Sequence, residues 1–266
     1  MNPIAALPEV VIEREGIALS AQEIIALGEV YVHQALSQPT VCELVFRDPP
    51  GPLTIDLALQ PGTMIGVSVR GQRTPLFTGQ VTAVQYKYEP SGGRELRVTA
   101  YDLLHQMRKN GSVRAHVQVT LSDLARELGH GLSVQAHEDT ALIQYVIQQR
   151  QSDLELLQEL AERSGLYFAV REDTLHIFSL AGIEDIPLTL TLGQNLFEAE
   201  IDMNTDSIVS EVAAAGWDSA HIEAHTGNAI TPRSSRHVEA SVSAGDVGAG
   251  NSFSLVDLGV EDTPQV

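Results

Sequence analysis

Cysteine is almost missing from this chain. The single cysteine, Cys42, excludes an internal disulfide. It alternates with Leu44 and Phe46 along a candidate strand, so it reads as a small buried hydrophobe. Aromatic residues are scarce at 5%, and the one tryptophan, Trp217, is assigned to packing within a late β region. Basic residues are outnumbered: 16 Lys and Arg stand against 35 Asp and Glu, for a net charge of −19. That balance argues against a phosphate-tracking surface, which needs clustered cations. It excludes attraction to an anionic membrane surface for the same reason. No apolar run approaches the ~18 residues of a membrane span. The start, MNPIAALPEV, has neither a basic n-region nor a long apolar core. No signal peptide is therefore expected, and the chain is expected to be made in the cytosol. A tandem repeat of 20–50 residues is also missing.

Chemical motifs are equally sparse. His221-Ile222-Glu223-Ala224-His225 invites a metal reading. A zincin, however, needs His-Glu-x-x-His on a helix. Here the Glu is displaced by one, and on a strand residues i and i+4 lie roughly 13 Å apart. Gly66-Val67-Ser68-Val69-Arg70 lacks the second glycine of a nucleophile elbow. Gly245-Asp246-Val247-Gly248-Ala249-Gly250 lacks the glycine order and strand–helix context of a dinucleotide loop. Asn110-Gly111-Ser112 fits a glycosylation sequon, but without a secretory route it means a turn. The reading is therefore no catalytic residue, no metal ligand and no cofactor site.

What is there is patterned apolar sequence. With 266 residues and 43% hydrophobic content, the chain can build two or three modules. Val10–Ile12, Val41–Arg47, Leu53–Leu59 and Met64–Arg70 are short strand-like runs punctuated by Pro and Gly. Leu76–Tyr88 and Glu95–Tyr101 flank Pro90-Ser91-Gly92-Gly93 and predict a hairpin. Many short antiparallel strands at this spacing suggest a closed or nearly closed barrel. Gln22–Leu36 is readable as helix or irregular strand. Further on the period changes. Thr120 caps a short helix with Leu121, Leu124, Ala125 and Leu128 on one face. Leu132–Gln135 and Ile143–Gln149 read as strands.

The most compact unit is Gln151–Phe178. Ser152 and Glu155 form a capping box, and Leu154, Leu157, Leu160 and Ala161 form an apolar stripe. Gly165 stops the helix. Tyr167–Val170 and Leu175–Phe178 then pair across Arg171-Glu172-Asp173-Thr174. Two helices are predicted, near 121–129 and 153–164, with a hairpin at 167–178. After residue 181 the chain is β again: Ile186–Leu192, Ala199–Met203, Ser207–Ala214 and, weakly, His221–Ala224. The tail from His237 has no Lys or Arg, and one strand is expected near Ser252–Asp257. The fold class is α+β, mainly β. Its expected modules are 1–105 and 181–266, both β-barrels, around an α/β insert at 106–180.

"QSDLELLQELAERSGLYFAV…DTLHIF" resembles the helix–hairpin signature of the VgrG and phage late-control-D tail-hub proteins of contractile injection systems. "LFTGQVTAVQY" (Leu76–Tyr86) is similar to that family's barrel strand with its Phe-x-Gly. "AYDLLHQMRKN" (Ala100–Asn110) resembles its linker, and "EVAAAGWD" (Glu211–Asp218) its late strand. The resemblance implies a structural protein that is not an enzyme. It implies a homotrimer whose paired tube-like barrels convert threefold into sixfold symmetry. The implied partners are an inner tube protein, a spike tip or C-terminal spike domain, and baseplate proteins. No nucleic acid is implied, and no membrane contact in the resting particle. Synthesis would be cytoplasmic, with the protein ending in the baseplate or tail tip of a phage tail-like particle in type VI secretion or a related system. Relatives continue into an OB-fold and a β-helical spike, so either a longer chain or a separate spike polypeptide is expected. The alternative reading is a tail-associated cell-wall hydrolase.

Arg94, Arg97, Arg108, Lys109 and Arg114 cluster in an otherwise acidic sequence. A solvated face is one reading. The other is an interface, between subunits or towards the tube, where local cations relieve like-charge repulsion.

Overall fold

The computed structural model describes residues 10–49, 59–88, 90, 92–129, 131–138, 140, 142–180, 189–200, 211–218, 222–229 and 252–257. Among these, strand predominates over helix, as the α+β, mainly β class requires.

Seven strands build the first sheet: β1 (Val10–Arg14), β2 (Ile17–Ala18), β3 (Leu27–His33), β4 (Val41–Arg47), β5 (Met64–Val69), β6 (Phe77–Tyr88) and β7 (Arg94–Tyr101). Their order is β2-β1-β5-β6-β7-β4-β3, antiparallel throughout. The ambiguous stretch Gln22–Leu36 holds both alternatives. A short helix α1 (Ala21–Ile24), boxed by Ser20 and Glu23, runs into β3. Of the strand predicted at Leu53–Leu59, positions 53–58 lie outside the described residues, and Leu59 is fully buried.

Period-two alternation sends one side chain in two to the inside. Ile12, Leu44, Phe46, Ile65, Val67, Leu96 and Val98 are all at most 2% exposed. Val10 from β1 and Val30 and Val32 from β3 pack on the same cluster. Strands near both ends of the order therefore meet in one core, and the sheet curls around it. Gly79 marks a close crossing in β6. A Cβ there would overlap the backbone carbonyl of Tyr101 and the Phe77 ring. This is the local reason for the Phe-x-Gly pattern.

The next part comprises α2 (Leu104–Met107), β8 (Arg114–Thr120), α3 (Leu121–Leu128), β9 (Ser133–Ala136), β10 (Leu142–Gln148), α4 (Asp153–Arg163), β11 (Tyr167–Arg171) and β12 (Thr174–Phe178). Both longer helices open with capping boxes, Thr120 with Asp123 and Ser152 with Glu155. Helix α4 ends in a Schellman arrangement. Gly165 (φ 64) donates to the Glu162 carbonyl at 3.0 Å, and Leu166 donates to Ala161 at 2.8 Å. The apolar stripes of α3 and α4 share one core with Phe168, Leu175 and Ile177. The hairpin β11–β12 forms as the sequence predicts, and β9 joins β12 in parallel. β8 and β10 pair separately as a two-stranded antiparallel ribbon.

Beyond residue 188 the sequence reading needs correction. The described part of Ile186–Leu192 is not a strand. The Thr191 carbonyl accepts from the N–H groups of Gln194, Asn195 and Leu196, while Asn195 Oδ1 accepts from the Thr191 N–H at 2.6 Å. With Gly193 at φ 82, local turn chemistry overrides β propensity. β13 (Glu211–Asp218), β14 (Glu223–Ala229) and β15 (Ser252–Asp257) form a sheet ordered β14-β13-β15. β14 starts later than the His221–Ala224 run. His221, Met203 and the glycine-rich 245–250 segment lie outside the described residues.

Candidate interaction surfaces

The five basic residues do not gather at one place. β7 is extended, so Arg94 and Tyr101 are about 23 Å apart at roughly 3.3 Å per residue. At one end Arg94 is held by the β4–β5 connection. Its backbone N–H donates to Asp48 Oδ1 at 2.8 Å, and its guanidinium donates to the Pro49 carbonyl at 2.9 Å. Arg97 bridges Glu95 at 3.2 Å and Glu43 at 2.5 Å. The Glu95 hydrogen bond, then Glu43, raises its pKa. Arg97 thus belongs to a laced outer face, with Arg47 paired to Glu29 and Tyr31 donating to Glu29.

At the other end Arg108 lies over the Tyr101 ring, 5.2 Å from its centroid. Arg114 is consumed locally by Glu127 at 2.7 Å. Lys109 is exposed. Arg108 and Lys109 are therefore the members of the five whose side chains have neither a carboxylate nor a carbonyl partner among the described residues.

A joint ties the first sheet to the α/β part, and nothing in the sequence announced it. Asp102 is 4% exposed. One carboxylate oxygen accepts from the Thr40 N–H at 2.8 Å, the other from the Leu104 N–H at 3.1 Å, and the Thr40 carbonyl accepts from the Asp102 N–H at 3.1 Å. Burial pushes this carboxyl up from its ordinary value, and the bonds from Thr40 and Leu104 oppose the rise. Beside it, Ser37 (φ 57) makes three bonds. The Ser37 N–H donates to the Phe168 carbonyl at 2.7 Å, the Phe168 N–H donates to Ser37 Oγ at 3.3 Å, and Gln158 Nε2 donates to the Ser37 carbonyl at 2.6 Å.

The titratable groups elsewhere serve structure. His137 Nε2 and His176 Nδ1 are 3.0 Å apart, and the two rings stack with centroids 5.3 Å apart. Burial first, then His137 and Arg171, lowers the His176 pKa. Burial pushes the Cys42 thiol up to about 12. Among the described residues no group of three His, Cys, Asp or Glu could hold a metal ion. His225 pairs with Gly216 in the β13–β14 ladder. Trp217 is 43% exposed, so it is a surface residue rather than a core anchor. No described helix is long and apolar enough to cross a membrane.

The fold is similar to that of solved tail proteins. The 43 kDa tail protein of prophage MuSo2 from Shewanella oneidensis superposes with a TM-score of 0.66 at 16% identity, covering 97% of this chain and 75% of that one. A tail protein from Neisseria meningitidis MC58 gives 0.62 at 17% identity, covering 96% and 72%. A Francisella PdpA–VgrG complex gives 0.51 at 10% identity, covering 94% of this chain and 39% of the other. The family model of the Alg8 N-terminal domain matches residues 8–250, and the chain belongs to that family. That description names a domain and no reaction, and it is not the VgrG or late-control-D name that the motifs suggest. No curated protein matches the sequence.

Proposed function

We propose that this chain is a structural tail hub: a homotrimer that joins a hexameric inner tube to a spike and its baseplate, and no enzyme. The observation that carries the reading is the tail-protein fold over 97% of the chain. The curled first sheet supports a tube-like barrel for the first β portion. A second barrel from residue 181 onward is the matching half of the proposal. A VgrG in complex among the structures with this fold supports spike and baseplate proteins as partners. In this reading the protein is made in the cytoplasm and ends in the tip of a phage tail-like particle. A glycosidase-type cell-wall hydrolase would need a pair of carboxylates facing a cleft. Among the described carboxylates, Asp102, Glu155, Glu43 and Glu127 are taken up by backbone caps and cation pairs.

Native mass and particle assembly together test the reading. The expected mass is three chains, with no release of fragments from peptidoglycan. Arg108 and Lys109 are the cations to test at the tube or subunit contact. Arg108→Glu with Lys109→Glu breaks no ion pair among the described residues but takes the guanidinium off the Tyr101 ring, so it should lower the melting temperature by no more than about 2–4 °C and reduce particle yield at least tenfold. Arg114→Glu is less clean, since it would set a carboxylate against Glu127. A monomer that degrades cell wall would overturn the hub reading.

A further inference from the structure

The β8–β10 ribbon is inside out. A two-stranded ribbon lying on helices should turn its apolar face inward. In this register Val117 stands opposite Tyr145, and Ala115 opposite Ile147, all on one face. That apolar face points to solvent: Val117 is 63% exposed, Tyr145 51% and Ile147 51%. The inward face holds Val146, packed on the helical core, and two polar side chains, His116 at 4% and Gln148 at 0% exposure.

The orientation is fixed by what the inward side chains hold. His116 Nδ1 and the Arg114 guanidinium both reach Glu127 of α3, at 3.2 and 2.7 Å. Gln148 Nε2 donates to Asp153 Oδ1 of α4 at 2.8 Å and to the Gln151 carbonyl at 3.2 Å. A one-residue slip would bury the apolar set but break every one of these contacts. The outward apolar face is therefore built into the fold.

We infer that this face seats a neighbouring copy of the same chain, which deepens the homo-oligomeric hub reading and rests on it. Charge selects the occupant. Neither strand contains Asp or Glu, although the chain carries 35 of them. Arg108, Lys109 and Arg150 lie beyond the ribbon's Arg114–Gln148 end, where the Asp153 N–H donates to the Asn110 carbonyl at 2.9 Å. An apolar centre with a basic fringe fits an acidic protein surface, and another copy at −19 is one. A threefold ring requires a head-to-tail contact, so in the hub reading the ribbon meets a different surface of the neighbour. Val117, Tyr145 and Ile147 make one exposed apolar surface of the kind that is commonly functional. Three large side chains are less than a standard interface needs on one side, so the ribbon is the contact's centre and a polar rim supplies the rest.

The test uses the full chain. Val117→Lys with Ile147→Lys changes exposed residues only, so the fold and melting temperature should persist. Wild type should sediment as a multi-copy species and the double variant as a monomer, or assemble only at tenfold or more higher concentration. An Ile147→Cys variant carrying a photo-cross-linker should link to an acidic surface of the neighbour, because the native Cys42 is buried. If wild type assembles and the double variant assembles equally, the ribbon assignment fails while the hub reading stands. Cross-links running only from ribbon to ribbon overturn the head-to-tail contact. A wild type that stays monomeric at every concentration, and forms no intermolecular cross-link, overturns both.

Discussion

Replacing Gly79 by alanine isolates a single steric effect in the first sheet. Gly79 does not have a left-handed φ, so the added methyl brings no backbone strain of its own. It does meet the Tyr101 carbonyl and the Phe77 ring at hard overlap. Neither neighbour can yield cheaply. Tyr101 is paired to Gln80 across β6–β7 and to Val41 across β4–β7, while Phe77 is 3% exposed. Overpacking a core costs about 1–3 kcal/mol, and a backbone obstacle puts this case at or above the top of that range. For a domain of this size about 3 kcal/mol lowers the melting temperature by roughly 6–12 °C. Gly66→Ala is the internal control on β5. Its nearest neighbours would stand at 3.7–3.9 Å, ordinary contact, so alanine should be neutral or stabilise by up to about 1 kcal/mol. Urea unfolding followed by circular dichroism measures both. Gly79→Ala within about 0.5 kcal/mol of wild type, or the two variants equally destabilised, would refute the reasoning.

Other expectations rest on the same kind of geometry. Leu157 is fully buried in the helical core, and Leu157→Asp should cost several kcal/mol by burying an unpaired charge, seen as loss of cooperative unfolding. Cys42, with its thiol pushed up to about 12, should resist iodoacetamide at pH 8 in the native protein and react once urea unfolds it. The His176 imidazole is held below its ordinary value of 6.5, so the unfolded chain takes up that proton first as pH falls. Its stability contribution is complete above pH ~6.5 and is lost as pH falls through the folded value. His176→Gln should flatten that part of the urea midpoint profile between pH 7.5 and 5.

Legibility follows the strength of local signals. Helix α4 is readable because Ser152, Glu155 and Gly165 mark both ends and Leu154, Leu157 and Leu160 mark one face. Leu156 is also fully buried, off that narrow stripe, because α4 packs against α2, α3 and β11 together. β8 escapes a sequence reading because its inward positions are Arg114 and His116, so alternation points the wrong way round. Thr189–Leu192, the described part of Ile186–Leu192, reads as strand because Thr and Leu alternate there, while the deciding bonds come from Asn195 beyond the run. For the five basic candidates, sequence proximity says nothing about β7 holding two of them a strand's length from the rest. The Ser37 and Asp102 joint depends on partners 62 to 131 residues away, which no local pattern encodes.

That joint also governs how the molecule would carry load. The bonds to α4 and β11 all run to Ser37, three of them on one residue, so a pull on the helical part is shared among those three. Bonds that are strained side by side yield together, and at a higher force than the same bonds strained one after another. A tug on α4 or β11 would therefore be felt in the first sheet at Ser37, on the β3–β4 connection.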